Sequence, residues 1–355
     1  MKKRQRILIG IHADHVRVHT LRNGRIDRSA CVPFEHDAAS DTWDDGLRCC
    51  DGALTQALEE AGVATPCEAR VVYDSPTAAV SAGPTPASGN AGAQAALLEL
   101  ETRGGADLSL QAHAAWTLGS ERDGSGYCVA ITDSPLTLDT LSLFCERAGV
   151  TMLSATPSEA VGLSGALAMH ARATDEASRV CAWFGSWCSG VVVADTQGVR
   201  FVRSSPLTQD ALVGSLSAVR GLDRALATKM LQDIGVPGSD QASDPQAWSS
   251  RVDMHDARAS IQPLIQRTAV DLRQSLRFGL GKDAIEHATV RAGGDATAIV
   301  GLVPLIGELL DIRHDIARTF NEHEHVVEAV DRLRLVDDGR SERTKGGRVQ
   351  RALWI

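Results

Sequence analysis

The sequence predicts an α/β protein built from two similar halves, and three observations carry that prediction. The same three-strand plan occurs twice, from Arg6 to Arg28 and again from Arg179 to Ser204. Helices alternate with strands between and after the two copies. Near the end of the second half a strand runs into paired glycine and then an apolar segment.

The first copy reads RILIGIHADHVRVHTLRNGRIDR: an apolar run, a small polar turn, an alternating run, an Asn23-Gly24 turn and a third run. The second reads RVCAWFGSWCSGVVVADTQGVRFVRS and takes the same steps, with Gln197-Gly198 at the later turn. Glycine accepts the positive φ that a tight hairpin turn demands, so each copy predicts a three-stranded meander.

Between the meanders, Asp44 to Gly62 places Leu47, Leu54, Leu58 and Ala61 at helical spacing, and Ala69 to Asp74 is a short valine-rich strand. Ser75 to Gly92, rich in Pro, Ala, Gly and Ser, predicts a loop, and a helix near Ala93 to Glu101 follows. Gly124 and Gly126 lead into a strand, Tyr127 to Thr132. Leu141, Phe144, Cys145 and Ala148 then line one face of a helix that stops at Gly149, a favoured residue just past a helix end. A strand from Val150 to Ala155 comes next. Thr156-Pro-Ser-Glu159 is a capping box with proline at the first helical position, so a helix starts there and runs to about Arg172.

After its meander the second half predicts helices near Leu207 to Arg220 and Arg224 to Ile234, a polar loop from Gly235 to Ser249, and a long helix from about Val252 to Phe278. Ala288 to Arg291 predicts a strand that meets Gly293-Gly294-Asp295 and then the apolar Ala296 to Leu310, which reads as a buried helix. Strand, paired glycine and helix suit a phosphate or sugar contact, because glycine lets the backbone approach a ligand and a helix start offers free N–H groups. A plain tight turn is the default alternative.

Composition narrows the function classes. At 355 residues the chain has room for about two domains, and 43% hydrophobic with 23% charged residues is ordinary globular composition. A formal charge of −9 argues against a nucleic-acid binder whose whole body is basic. Met1 to Arg6 carries four basic residues and Arg340 to Arg351 five, suited either to an anionic membrane face or to solvated tails. The basic start runs directly into an alternating strand, so no signal peptide is expected and the chain should stay in the cytoplasm. Ala296 to Leu310, the longest apolar stretch, is interrupted by Glu308 and falls short of the ~20 residues that a membrane span needs. The eight cysteines, Cys31, Cys49, Cys50, Cys67, Cys128, Cys145, Cys181 and Cys188, include no C-x-x-C pair and read as reduced thiols without a metal.

With these elements in this order the chain resembles the actin-like ATPase fold, an α/β architecture of two RNase H-like domains with a small insertion subdomain in the first. Within that superfamily it is most similar to the PilM family of type IV pilus assembly proteins and to their relative, the cytoplasmic part of the type II secretion protein GspL. The segments that carry the likeness are ILIGIHADHVRVHTL, VVYDSPTAAV, YCVAITDSPLTLDTLSLFCERAGVTMLSATPSEAVGLSGAL, VCAWFGSWCSGVVVADTQGVRFVRSSPL, AVDLRQSLRFGL and TVRAGGDATAIVGLVPLIGELLDI. The resemblance implies a first domain over 1–175 with its insertion at about 31–125, a second over 176–335 with a helical insertion at about 207–250, and a polar basic tail over 336–355.

In ATP-hydrolysing relatives the first strand of each meander ends in an aspartate followed closely by glycine, which holds hydrated magnesium beside the phosphates. His12 and Trp183 stand at those positions here. Histidine is a poor magnesium ligand and tryptophan supplies no oxygen, so ATP and magnesium remain implied cofactors while hydrolysis is expected to be lost. The nucleotide-binding candidates that persist are Asp14, two residues past the expected acid, and Asp133, at a strand end where relatives place a water-orienting residue. Gly185 and Ser186 in the second turn, and Gly293, Gly294 and Asp295, complete the set. Plainer readings stand beside them: Asp14 as a turn residue, Asp133 as a helix cap beside Pro135, Gly185 as hairpin geometry. Trp183 would plug the space that a nucleotide fills. Arg273 and Arg277, four apart on one helix face, either border an adenosine or are exposed charges.

Other chemistries fall away. Asn321-Glu-His-Glu-His325 lies near His314, but without an anchoring cysteine motif it reads as a solvated loop rather than a metal site. Neither a P-loop sequence nor a G-x-S-x-G elbow occurs.

The resemblance therefore implies a cytoplasmic scaffold with no catalytic residue and no metal, peripheral to the inner membrane in a type IV pilus or type II secretion machine. In PilM-like proteins a short N-terminal peptide of a bitopic inner-membrane protein, PilN-like, docks in a groove on the first domain. The matching wall here would include parts of Val71 to Val80 and neighbouring strands, where an extended peptide adds main-chain hydrogen bonds. Two alternatives share the fold: an ATP-dependent sugar or small-metabolite kinase using Asp133 or Asp295, and a filament former that self-associates. After Asp311 only His323 to Leu335 and the polar tail remain, without the small-residue helix that normally closes the fold.

Overall fold

A computed structural model of the chain describes residues 6–12, 15–23, 25–34, 47, 51–75, 77–85, 94, 97–98, 101–102, 107, 109–118, 126–161, 178–195, 198–219, 222–237, 253–280, 289–310 and 313–316. They fall into two compact units, the first within Met1–Ser81 and Thr85–Gly165, the second within Ala166–Phe320 with Ala82–Pro84.

In the first unit the chain runs β1 (Arg6–Ile11), β2 (His15–Arg22), β3 (Arg25–Pro33), α1 (Asp51–Glu60), β4 (Cys67–Tyr73), β5 (Ala79–Thr85), β6 (Ala112–Leu118), β7 (Gly126–Asp133), α2 (Pro135–Arg147) and β8 (Val150–Pro157). The expected meander forms β1 to β3, with Asn23 at φ 56 in its turn. β4 lies parallel to β1 and β8 parallel to β4, so the main sheet has the order β3-β2-β1-β4-β8. Alternation buries Ile9, Ile11, Val16, Val18, Val71 and Tyr73 on one face, where the helical stripes Leu54/Leu58 and Leu141/Phe144 pack onto them. Each such side chain contributes about 1.5–3 kcal/mol by leaving water. α1 ends at Gly62, φ 69, with Val63 N–H donating to Leu58 O and Gly62 N–H to Glu59 O. On β8 Met152 faces Ala69 and Ser154 faces Arg70, so Leu153 is an extra, exposed residue in a bulge.

The second unit contains β9 (Ser178–Phe184), β10 (Ser189–Asp195), β11 (Gly198–Ser204), α3 (Gln209–Ser217), α4 (Arg224–Asp233), α5 (Met254–Leu280), β12 (Thr289–Gly293), α6 (Leu302–Leu310) and β13 (Arg313–Ile316). Its strand order is β13-β12-β9-β10-β11, with β12 parallel to both β9 and β13. Val180, Ala182 and Phe184 face Leu212, Leu216, Ile265, Leu272 and Leu276 in one core. Thr208 and Asp223 cap α3 and α4 by accepting the amides of Ala211 and Leu226.

Three expectations need correction. Ser75 to Gly92 is not all loop, because β5 runs through it beside β7, and β6, opposite β7, was not predicted. Both are rich in small residues, which give no periodic signal and take strand geometry from their neighbours. The apolar Ala296 to Leu310 is not one helix: a 3₁₀ turn, Asp295–Ala298, is separated from α6 by extended Ile299 and by Gly301 at φ 82. The Val300 carbonyl accepts from Val236 N–H instead of serving a helix. The helix expected from Thr156 starts at Ser158, and its course beyond Val161 lies outside the described residues. β13 follows Asp311, where no strand was expected, while most of the loop Gly235 to Ser249, His323, His325 and the tail lie outside the described residues.

Candidate functional site

Parallel pairing of β1, β4 and β8 brings polar residues together at their carboxyl ends. His12 and Asp74 each follow a neighbouring strand by one residue; Asp74 N–H donates to Ile11 O at 3.0 Å and His12 N–H to His15 O at 3.0 Å. His12 Nδ1 lies 3.4 Å from Asp74 Oδ1, which also accepts from the Ser158 hydroxyl at the end of β8. The His12 and His15 rings stack, their centroids 4.5 Å apart and planes 23° from parallel. Asp74 is only 4% exposed. Burial pushes its carboxyl up, but His12, Ser158 and His15 together outweigh that and hold it below its ordinary value.

Asp133, at the end of β7, sits at the centre of a second buried knot. Its Oδ1 accepts from Thr77 Oγ1 at 2.5 Å, Ser75 Oγ at 3.1 Å and Ser134 N–H at 2.7 Å, and its Oδ2 accepts from Tyr73 at 2.8 Å. Burial dominates and raises its carboxyl, although all four donors pull the other way. The helix-cap alternative for Asp133 is corrected here: Ser134 holds the N-cap position, no side chain caps α2, and Asp133 ties the β4–β5 connection to β7.

In the second unit, parallel β9 and β12 bring together the glycine turns expected there. Gly185 N–H donates to Cys188 O at 3.0 Å, while the first turn of α3 donates from Gln209 N–H to Gly185 O at 3.1 Å and from Asp210 N–H to Ser186 O at 2.9 Å. Ser186 Oγ donates to Asp295 Oδ2 at 2.9 Å, so Gly185, Ser186, Gly293, Gly294 and Asp295 form one cluster. Gly294, φ 97, passes so close to β9 that a Cβ there would lie 2.4 Å from Phe184 O. Trp183 stands opposite Gly190 on β10 and Gly293 on β12, and its Nε1 lies 2.9 Å from where a Gly185 Cβ would be. Gly185 has no positive φ; a Cβ there would lie 2.6 Å from the Cys188 carbonyl across the hairpin and 2.9 Å from Trp183 Nε1, so both the tightness of the turn and the indole require glycine.

Asp14 lies outside the described residues. Arg273 donates to Leu309 O at 2.6 Å, closing the end of α6, and Arg277 is exposed. The peptide wall at Val71 to Val80 is corrected for β4: that strand is paired on both sides and Val71 to Tyr73 are buried, so no peptide can add to it. Among the described residues β3 and β8 are the edges of that sheet. Asp74, Ser158, Tyr73, Ser75 and Thr77 were missed as site residues, although Asp74 ends its strand just as His12 does.

No protein-family model matches the chain, and no curated protein sequence does. Solved structures do. A PilM–PilN type IV pilus biogenesis complex aligns with a TM-score of 0.63 at 13% identity, over 92% of this chain and 96% of that one. MreB5 of Spiroplasma citri bound to AMPPNP aligns with a TM-score of 0.51 at 8% identity, over 94% of this chain and 96% of that one. The chain therefore has the actin-like ATPase fold.

That fold implies ATP with magnesium, and the described residues do not fit the metal. Asp74 is already engaged by His12 and Ser158, Asp133 by four donors, and Trp183 covers the second turn. Among the described residues no three His, Cys, Asp or Glu side chains converge as ligands, and no helix is long and apolar enough to cross a membrane.

Proposed function

We propose that the chain is a PilM-like cytoplasmic scaffold of a type IV pilus assembly platform, held at the inner membrane by the N-terminal peptide of a bitopic, PilN-like protein. The observation that carries this reading is the match of nearly the whole chain to a PilM–PilN complex. His12 and Trp183, standing where ATP-hydrolysing relatives carry aspartate, agree with a protein that acts by binding rather than by hydrolysis. The enclosure of β4 moves any main-chain addition to a sheet edge, β3 or β8.

The test is a titration of the full chain with a fluorescently labelled N-terminal peptide from the single-pass membrane protein encoded beside it. Saturable binding is expected. No binding, together with a magnesium-ATP-dependent rise in melting midpoint and phosphate release, would move the reading to the kinase alternative.

A further inference from the structure

We infer that the partner's N-terminal peptide docks as a short added strand on the open edge of β8, along residues 150–152, with apolar side chains beside α2. The inference rests on the scaffold reading and names where that partner sits.

The main chain of β8 is placed for this. Cys67 N–H donates to Gly149 O at 3.0 Å and Thr151 stands opposite Glu68, so the parallel ladder turns Thr151 toward β4. Val150 and Met152 then present their N–H and C=O groups on the side where, among the described residues, no strand follows. The bulge at Leu153 ends the regular stretch, which suits a segment of only a few residues.

Side chains choose between the two edges of the sheet. Among the described residues β3 exposes the charged Arg25, Asp27 and Arg28 and no large apolar side chain, the pattern of a guarded edge. β8 carries no charge and leaves Leu153 54% exposed. α2, packed beside β8, exposes Leu136 and Leu143 at 66% and 55%, two turns apart on one face. A strand added to β8 sets every second side chain on the α2 side of the sheet, so the peptide needs apolar residues at alternate positions.

Charge favours the same occupant. The acids Glu68, Asp139 and Glu146 are exposed on the start of β4 and on α2, against one base there, Arg147. The cytoplasmic end of a single-pass membrane protein is rich in Lys and Arg.

The experiment measures hydrogen exchange of the full chain with and without the N-terminal peptide of the single-pass membrane protein encoded beside it, and titrates that labelled peptide into variants. Exchange should slow along residues 150–153 and not along β3. Leu153→Lys should weaken binding by about tenfold or more, and Ser29→Lys on β3 should leave it unchanged. Saturable binding without protection of β8, or undiminished in a folded Leu153→Lys protein, would overturn the edge assignment and leave the scaffold reading standing. No binding to wild type would overturn both. The exchange measurement uses wild type alone, so it decides even if Leu153→Lys fails to fold.

Discussion

The Tyr73 hydroxyl donates to Asp133 Oδ2 at 2.8 Å, joining the end of β4 to the end of β7 through two residues that are both 0% exposed. A hydrogen bond to a buried charged group is worth more than a neutral one. Tyr73→Phe should therefore lower unfolding free energy by about 1.5–3 kcal/mol, read from urea denaturation. A loss within the error of the titration would mean that Ser75, Thr77 and the Ser134 amide already satisfy Asp133.

Asp133 and Asp74 titrate in opposite senses. The folded-state value of Asp133 is raised, so the stability it contributes is complete below its unfolded value of about 3.9 and fades as pH rises through the folded value. Asp133→Asn should flatten the pH dependence of stability just above about pH 4.

The value of Asp74 is lowered, so its contribution is present above about pH 3.9 and is lost as pH falls through the folded value. Asp74→Asn should remove part of the acid-denaturation limb and leave the neutral slope unchanged. Paired urea titrations across pH would separate the two, and identical profiles for both variants would contradict the assignment.

Two glycines predict opposite signs. Gly294→Ala meets both a φ of 97 and the Phe184 carbonyl at 2.4 Å, and should cost about 1–3 kcal/mol from strain alone. Gly52 lies in α1 with nothing within 4 Å of an added Cβ, so Gly52→Ala should gain up to about 1 kcal/mol. Thermal melts of both variants check the contrast.

Trp183→Asp should open the space over Gly185 and raise nucleotide affinity above that of wild type, measured for both by fluorescent-nucleotide anisotropy. No gain in a folded variant would show that the indole is not what keeps a nucleotide out.

The two meanders were legible because their information is local: Asn23-Gly24 and Gln197-Gly198 specify turns, and alternation such as Val16/Val18 specifies a face. The stripes of α1 and α2 were legible for the same reason. The His12–Asp74 pair was not, because it exists only through the parallel register of β1 and β4. Nor was the Asp133 knot, whose three side-chain donors lie 56 to 60 residues away in the chain. β5 and β6 were invisible because alanine-rich strands are shaped by their neighbours rather than by their own propensity.

The bulge at Leu153 gives the sheet an uneven rim. A short segment on one side of Leu153 can pair with β8 in register, but a longer strand from another molecule would find its amides out of step halfway along, which frustrates the regular ribbon stacking behind amyloid. Pro157, which ends the same strand and has no amide hydrogen to donate, guards that border a second time.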